Sequence, residues 1–226
     1  MSAHQNARIL LASTALAALM TAPLATAVAA EIELGVYGGW QTSPHSRIDG
    51  TLPDTGSYSE LIGWDGNPFA MPPYYGVRAT YWQDNGTGWG LEWTHAKVYG
   101  AHDSTLFDRL EFTDGLNIIT VNYAKRWQNQ WKQLTPYVNA GVGIALPHVD
   151  ITPANVLDGG RTYEYQLTGP AARLTAGVSY ELNDSWNLFS EYQFTWSQNE
   201  ASLNGGGTLS TRILTNSLNV GVSYDF

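Results

Sequence analysis

The sequence predicts an all-β fold: an eight-stranded antiparallel transmembrane β-barrel with long exterior loops and short periplasmic turns. Three observations predict it. After residue 30, apolar residues alternate with small or polar ones in run after run, the period of a strand with two unlike faces. The connections between runs switch between short and long, as in barrels of the outer membrane. Charged residues make up only 14% of the chain, while nine Trp and thirteen Tyr are present, which suits a surface facing lipid rather than water.

The elements follow in order. His4 and Arg8 lead into the apolar run from Ile9 to Met20 and then small residues through Ala30, the layout of a signal peptide. Val28-Ala29-Ala30 places the expected cut before Glu31, so the division is 1–30 signal peptide and 31–226 barrel domain. The apolar core is short for the ~20 residues that a membrane-spanning helix needs. Strands are expected at 34–41, 74–82, 89–99, 116–127, 137–146, 172–181, 186–197 and 218–226. Leu218, Val220, Val222, Tyr224 and Phe226 alternating with Asn219, Gly221, Ser223 and Asp225 are the clearest case. Residues 42–73, 100–115, 147–169 and 198–210 are the exterior loops, and 83–88, 128–134 and 183–185 the periplasmic turns.

Alternation also fits a soluble barrel with its apolar face inward. Three features favour apolar outward. The polar face is weakly charged. Aromatics gather at the periplasmic strand ends (Trp82, Trp89, Trp127, Trp131, Tyr180, Trp186, Tyr224, Phe226). Phe226 closes the last strand, resembling the signal read by the outer-membrane barrel assembly machinery. Export to the outer membrane of a Gram-negative bacterium follows, with outer-membrane lipids as surroundings and a monomer as the expected state. The formal net charge of −9 argues against nucleic acid, and the absence of Cys excludes disulfides and thiol chemistry.

With apolar side chains outward, the lumen holds Arg78, Arg126, Arg173, Glu33, Glu92, Glu181, Glu191 and Asp225. An eight-stranded interior is just wide enough for side chains, so these charges should pair and plug it, Arg78 and Arg173 with Glu92 and Glu191. A general porin is not expected. On the third strand Trp89, Leu91 and Trp93 are apolar at odd positions, then Ala96 and Val98 at even ones. A β-bulge near Thr94-His95 would restore the pattern and turn Glu92, His95, Lys97 and Tyr99 inward. Leu116 and Ile119 show a similar shift. Glu92, His95 and Lys97 are therefore the candidate catalytic residues.

The mature chain has four histidines, His45, His95, His102 and His148, all toward the exterior end, with Asp103, Asp114, Asp150 and Glu200 nearby. Imidazole plus carboxylate suits a divalent metal ion, and His95, His148 with Asp114 or Asp150 are the candidate ligands. No nucleotide cofactor is expected, because no Gly-rich turn opens a helix, and no nucleophile elbow surrounds a Ser.

The segments 90–99, 110–117, 136–143, 147–149, 169–171 and 197–226 resemble the lipid A oxidase family of outer-membrane barrels. That resemblance implies an oxygen-dependent oxidase converting the proximal glucosamine of lipid A, its substrate, to 2-aminogluconate. Ala96 departs from the family pattern, in which Asp commonly follows the His of the third strand. The second function class is a non-enzymatic barrel whose loops act as surface antigen, adhesin or membrane stabiliser.

Overall fold

The computed structural model describes residues 31–100, 104–128, 132–154 and 160–226. The expected signal peptide, Trp131 and His102 lie outside the described residues. The described residues form eleven strand segments: β1 (Glu31–Leu52), β2 (Gly56–Asp65), β3 (Tyr75–Trp82), β4 (Thr87–Gly100), β5 (Phe107–Arg126), β6 (Leu134–Ala145), β7 (His148–Pro153), β8 (Thr162–Tyr165), β9 (Gly169–Glu181), β10 (Trp186–Ser202) and β11 (Thr208–Asp225). Eight of them form the expected ring, β1-β3-β4-β5-β6-β9-β10-β11, closed where β1 pairs antiparallel with β11 from Glu33↔Asp225 to Trp40↔Leu218 and beyond. Closure leaves no strand edge facing lipid, where an unpaired backbone group would cost several kcal/mol.

The strands outrun the membrane. A span needs about 9–11 tilted residues, and β1 has 22. Outside the lipid the wall is continued by substitution. β2 pairs with β1 and β4 past the point where β3 ends, and β7 pairs with β5 past the point where β6 ends. β8 then pairs with β7. The Gln166 side-chain amide donates to the Ser202 carbonyl and accepts from the Ser202 N–H, linking the end of β8 to β10. Much of the expected exterior loops is therefore strand.

This extension explains the parity shift. On β11, Leu218, Val220 and Val222 face lipid, while Ile213 and Leu209 sit on the opposite, inward face and are buried. On β5, Val121 and Tyr123 face out, and Leu116, Phe112 and Leu110 face in. The apolar side chains change faces where each strand leaves the bilayer, because water replaces lipid outside and the interior becomes an ordinary core. Ile48, Ile62, Val98, Phe112, Val149, Ile151, Leu209 and Ile213 belong to that core. Val220→Lys, inside the lipid band, should cost about 2–4 kcal/mol. Arg212→Leu, on the same face above the change, should stay within about 0.5 kcal/mol. Urea unfolding in lipid vesicles checks both, and equal costs would remove the boundary.

The expected bulge at Thr94-His95 is not there. β4 pairs regularly with β3 from Trp82↔Gly88 to Tyr75↔His95, and with β5 through Ala96↔Leu116. Glu92, Thr94, Ala96 and Val98 share the inner face, and His95 keeps the outward face. The register breaks one step later, between Ala96 and Val98, where residues 113–115 of β5 stand opposite Lys97.

The lumen is plugged as expected. Arg78 pairs with Glu191 at 2.7 Å and Arg173 with Glu92 at 3.1 Å. The Tyr37 hydroxyl donates to Glu92 at 2.6 Å and the Tyr137 hydroxyl to Glu191 at 2.6 Å. Toward the periplasm a polar cavity of about 460 Å³ remains, lined by Glu31, Glu33, Arg126, Glu181 and Asp225 among others. There Arg126 makes two hydrogen bonds to Glu31, at 2.8 and 2.6 Å. Trp82 departs from the expected girdle. Its ring turns inward under the Arg126 guanidinium and its N–H donates to Glu33 at 2.7 Å, whereas Tyr81, Trp89, Trp127, Tyr180, Trp186 and Phe226 are exposed to the interface.

Candidate functional site

The outer wall is apolar from the periplasmic girdle to Trp93 and then becomes polar. His95 follows on β4, with Tyr75 of β3 and Asn117 of β5 as its cross-strand partners. The Tyr75 ring stacks on the imidazole at 5.2 Å between centroids. His95 Nδ1 lies 3.2 Å from Asn117 Oδ1, which also accepts the Trp93 indole N–H at 3.0 Å. Asn117 Nδ2 donates at 3.3 Å to the carbonyls of Asp114 and Gly115, so one amide holds both the imidazole and the bulge.

Gly115 has φ +95 and its Cα faces the His95 ring, where a Cβ would collide. Only glycine meets both demands at once. The turn it makes brings Asp114 beside β7. Asp114 Oδ2 lies 3.6 Å from His148 Nδ1, and the rings of Tyr163 and Tyr165 enclose the His148 imidazole edge-on at 4.3 and 4.7 Å. His95 Nε2 and His148 Nδ1 are both buried and lack a well-formed hydrogen bond, with Pro72 beside the first imidazole and Asp114 at 3.6 Å from the second.

The expected site residues therefore divide. His95, Asp114 and His148 share the outward face at the exterior rim. Glu92 lies across the wall from His95, fully buried in its pairing with Arg173, Tyr37 and Asn122. It was expected beside His95, and regular pairing places the two on opposite faces. Lys97 is fully buried at the gap where β4 changes partner from β3 to β2, its backbone N–H bonded to Gln41 and its ammonium 5.3 Å from the Tyr99 ring. Asp150 is occupied by Arg161, at 2.7 and 2.9 Å, and by Arg109 at 3.1 Å. Its own bonds to Asp150 raise the Arg161 guanidinium above its ordinary pKa.

Asn117, Tyr75, Tyr163 and Tyr165 escaped the sequence reading. An Asn at an outward position of an apolar strand was the available signal for the first. Among the described residues, Glu31, Glu33 and Asp225 at the periplasmic mouth are the set with donor atoms within 4.8 Å of one another. The rim set does not close to that degree. Its donor types, two imidazoles and a carboxylate, nevertheless fit a divalent transition metal, and neither His95 Nε2 nor His148 Nδ1 is held by a well-formed hydrogen bond. On the periplasmic side of Asn117, Ala140 and Ala172 leave a groove of about 490 Å³ in the lipid-facing wall between Tyr123 and Trp196.

The family model for the outer membrane protein beta-barrel domain matches residues 12–226. The chain belongs to that family. It is accordingly an outer-membrane protein. No curated protein matches it. Among solved structures it is similar to the outer membrane protein OprG from Pseudomonas aeruginosa, with 13% identity, a TM-score of 0.50, and 87% of this chain and 95% of that one covered. It is also similar to Neisserial surface protein A, with 16% identity, a TM-score of 0.49, and 89% and 100% covered. At such identities the likeness shows the fold alone.

Proposed function

We propose that this protein is an oxygen-dependent oxidase of lipid A, converting the proximal glucosamine to 2-aminogluconate. The observation that carries the proposal is the position of His95, Asn117, Asp114 and His148. They face outward where the lipid-facing band ends, the level at which an outer-leaflet lipid holds its sugars. A lumenal site would be closed to such a substrate, since ion pairs and an apolar core fill the interior. Oxidation, rather than another reaction at the same place, rests on the sequence resemblance.

The reaction balances as a two-electron oxidation. The C1–H and O–H bonds of the free hemiacetal break and a C1 carbonyl forms. Two electrons and two protons pass to O₂ to give hydrogen peroxide, and water then opens the lactone to the acid. His95, His148 and Asp114 would hold a redox-active metal ion, which when bound supplies the activation of oxygen. Asn117 orients His95 and fixes the bulge that carries Asp114. Tyr163 and Tyr165 shield His148 from water. The groove at Ala140 and Ala172 offers room for an acyl chain.

Mass spectrometry of lipid A from cells with and without the protein is the test. A species heavier by one oxygen atom, released as 2-aminogluconate on acid hydrolysis and dependent on O₂, is expected. Identical lipid A in the two strains would leave a non-enzymatic surface barrel.

A further inference from the structure

Residues 66–74, between β2 and β3, lie against the outer wall at the level of Trp40. Gly66 approaches the Gln41 carbonyl so closely that a Cβ would collide with it. Backbone bonds from Ala70 to Asn67 and from Tyr74 to Pro68 fold the segment on itself. Tyr74 pins its far end, with its ring buried and its hydroxyl donating to Ser217 at 2.9 Å. The segment is thus held at both ends, and it exposes large apolar side chains: Met71 is 83% exposed and Phe69 70%.

Two such side chains on a fixed turn would be a liability in water, and a patch of this kind marks a partner. The wall beside it identifies that partner. Phe69 packs edge-on against Trp40 at 5.7 Å, and Trp40 pairs across the seam with Leu218. Trp40 and Leu218 are 58% and 65% exposed on the lipid-facing wall, so Phe69 continues a surface that already meets acyl chains. No charged residue lies between Gly66 and Tyr74 to oppose insertion. We propose that residues 66–74 form a wedge that inserts Phe69 and Met71 into the acyl region of the outer leaflet. Pro72, next along the wedge, stands beside His95. If the rim site acts on a lipid, the wedge forms one wall of its mouth and parts the lipids there.

The chain has no Cys, so single Cys variants can be spin-labelled without further changes. Met71→Cys and Phe69→Cys are made in the full barrel in phosphatidylcholine vesicles, with Leu218→Cys as a lipid reference and Asp54→Cys, in the β1–β2 turn, as a water reference. Collision with O₂ is compared with collision with a hydrophilic nickel chelate. Both wedge positions should match position 218, with the chelate excluded several-fold relative to position 54. Readings like those at position 54 overturn the proposal. Depth is read without turnover, so a lipid-embedded wedge alongside unoxidised lipid A would count against the oxidase reading alone. A wedge in water alongside oxidised lipid A would count against the insertion alone.

Discussion

Arg173→Met should destabilise the folded barrel by about 3–5 kcal/mol, the usual consequence of removing one member of a buried ion pair. Arg173 and Glu92 have fully buried side chains 3.1 Å apart. The guanidinium also donates to Thr120 at 2.9 Å and to Thr94 at 2.6 Å. Without it the Glu92 carboxylate keeps only the Tyr37 hydroxyl and the Asn122 amide. Neither carries positive charge, and water has little room to enter. The double variant Arg173→Met/Glu92→Leu should recover much of the loss, because the cost lies in the stranded carboxylate rather than in the absence of the pair. Equilibrium urea unfolding in vesicles, with gel mobility before and after heating as the measure of folded barrel, distinguishes these outcomes. A single variant within about 1 kcal/mol of the parent would mean that the lumen is wet enough to solvate Glu92.

His95→Ala and His148→Ala should each lower the rate of lipid A oxidation by on the order of 10²-fold or more, with the barrel still folded. Asn117→Ala should cost about 10–100-fold, as expected of a group that orients a metal ligand. Neither imidazole takes part in the lumenal network. Stability should therefore change little beyond the loss of ring packing against Tyr75 or against Tyr163 and Tyr165. Metal content of the purified protein is the companion measurement and should fall with activity in both His variants. Activity unchanged in both would remove the rim as the reaction centre. Activity lost with metal content unchanged would leave the histidines in the reaction without the role of ligands.

Which side chains meet at the rim depended on geometry that no linear pattern carries. His148 and Asp114 lie on different strands, and their approach depends on a three-residue excursion in β5 whose Gly115 takes a left-handed conformation against the His95 ring. A shift from odd to even apolar positions at Trp93 to Ala96 has two explanations, an inserted residue or a change in what each face touches. Both read alike in one strand. Pairing with β3 and β5 decides for the second, and so separates Glu92 from His95. Asp150 and Asp114 are equivalent in the linear sequence, and only the fold separates them, by setting Arg161 and Arg109 against Asp150.

By itself the sequence determined the ring of eight strands, its closure between first and last, the lipid-facing girdle apart from Trp82, and the partners of Arg78 and Arg173. Each follows from local alternation and from the narrowness of an eight-stranded interior, which leaves Arg78 and Arg173 few carboxylates within reach. Only the tertiary structure decided how far the wall continues beyond the membrane. β2 replaces β3 and β7 replaces β6 there through backbone pairing, and backbone carbonyls are common to every residue and backbone N–H donors to every residue but proline. It likewise decided that His95 and His148 stand on the outer face of the wall rather than in the lumen. Whether an odd-numbered side chain meets lipid, water or another strand depends on where the bilayer ends, and that level is a property of the assembled barrel.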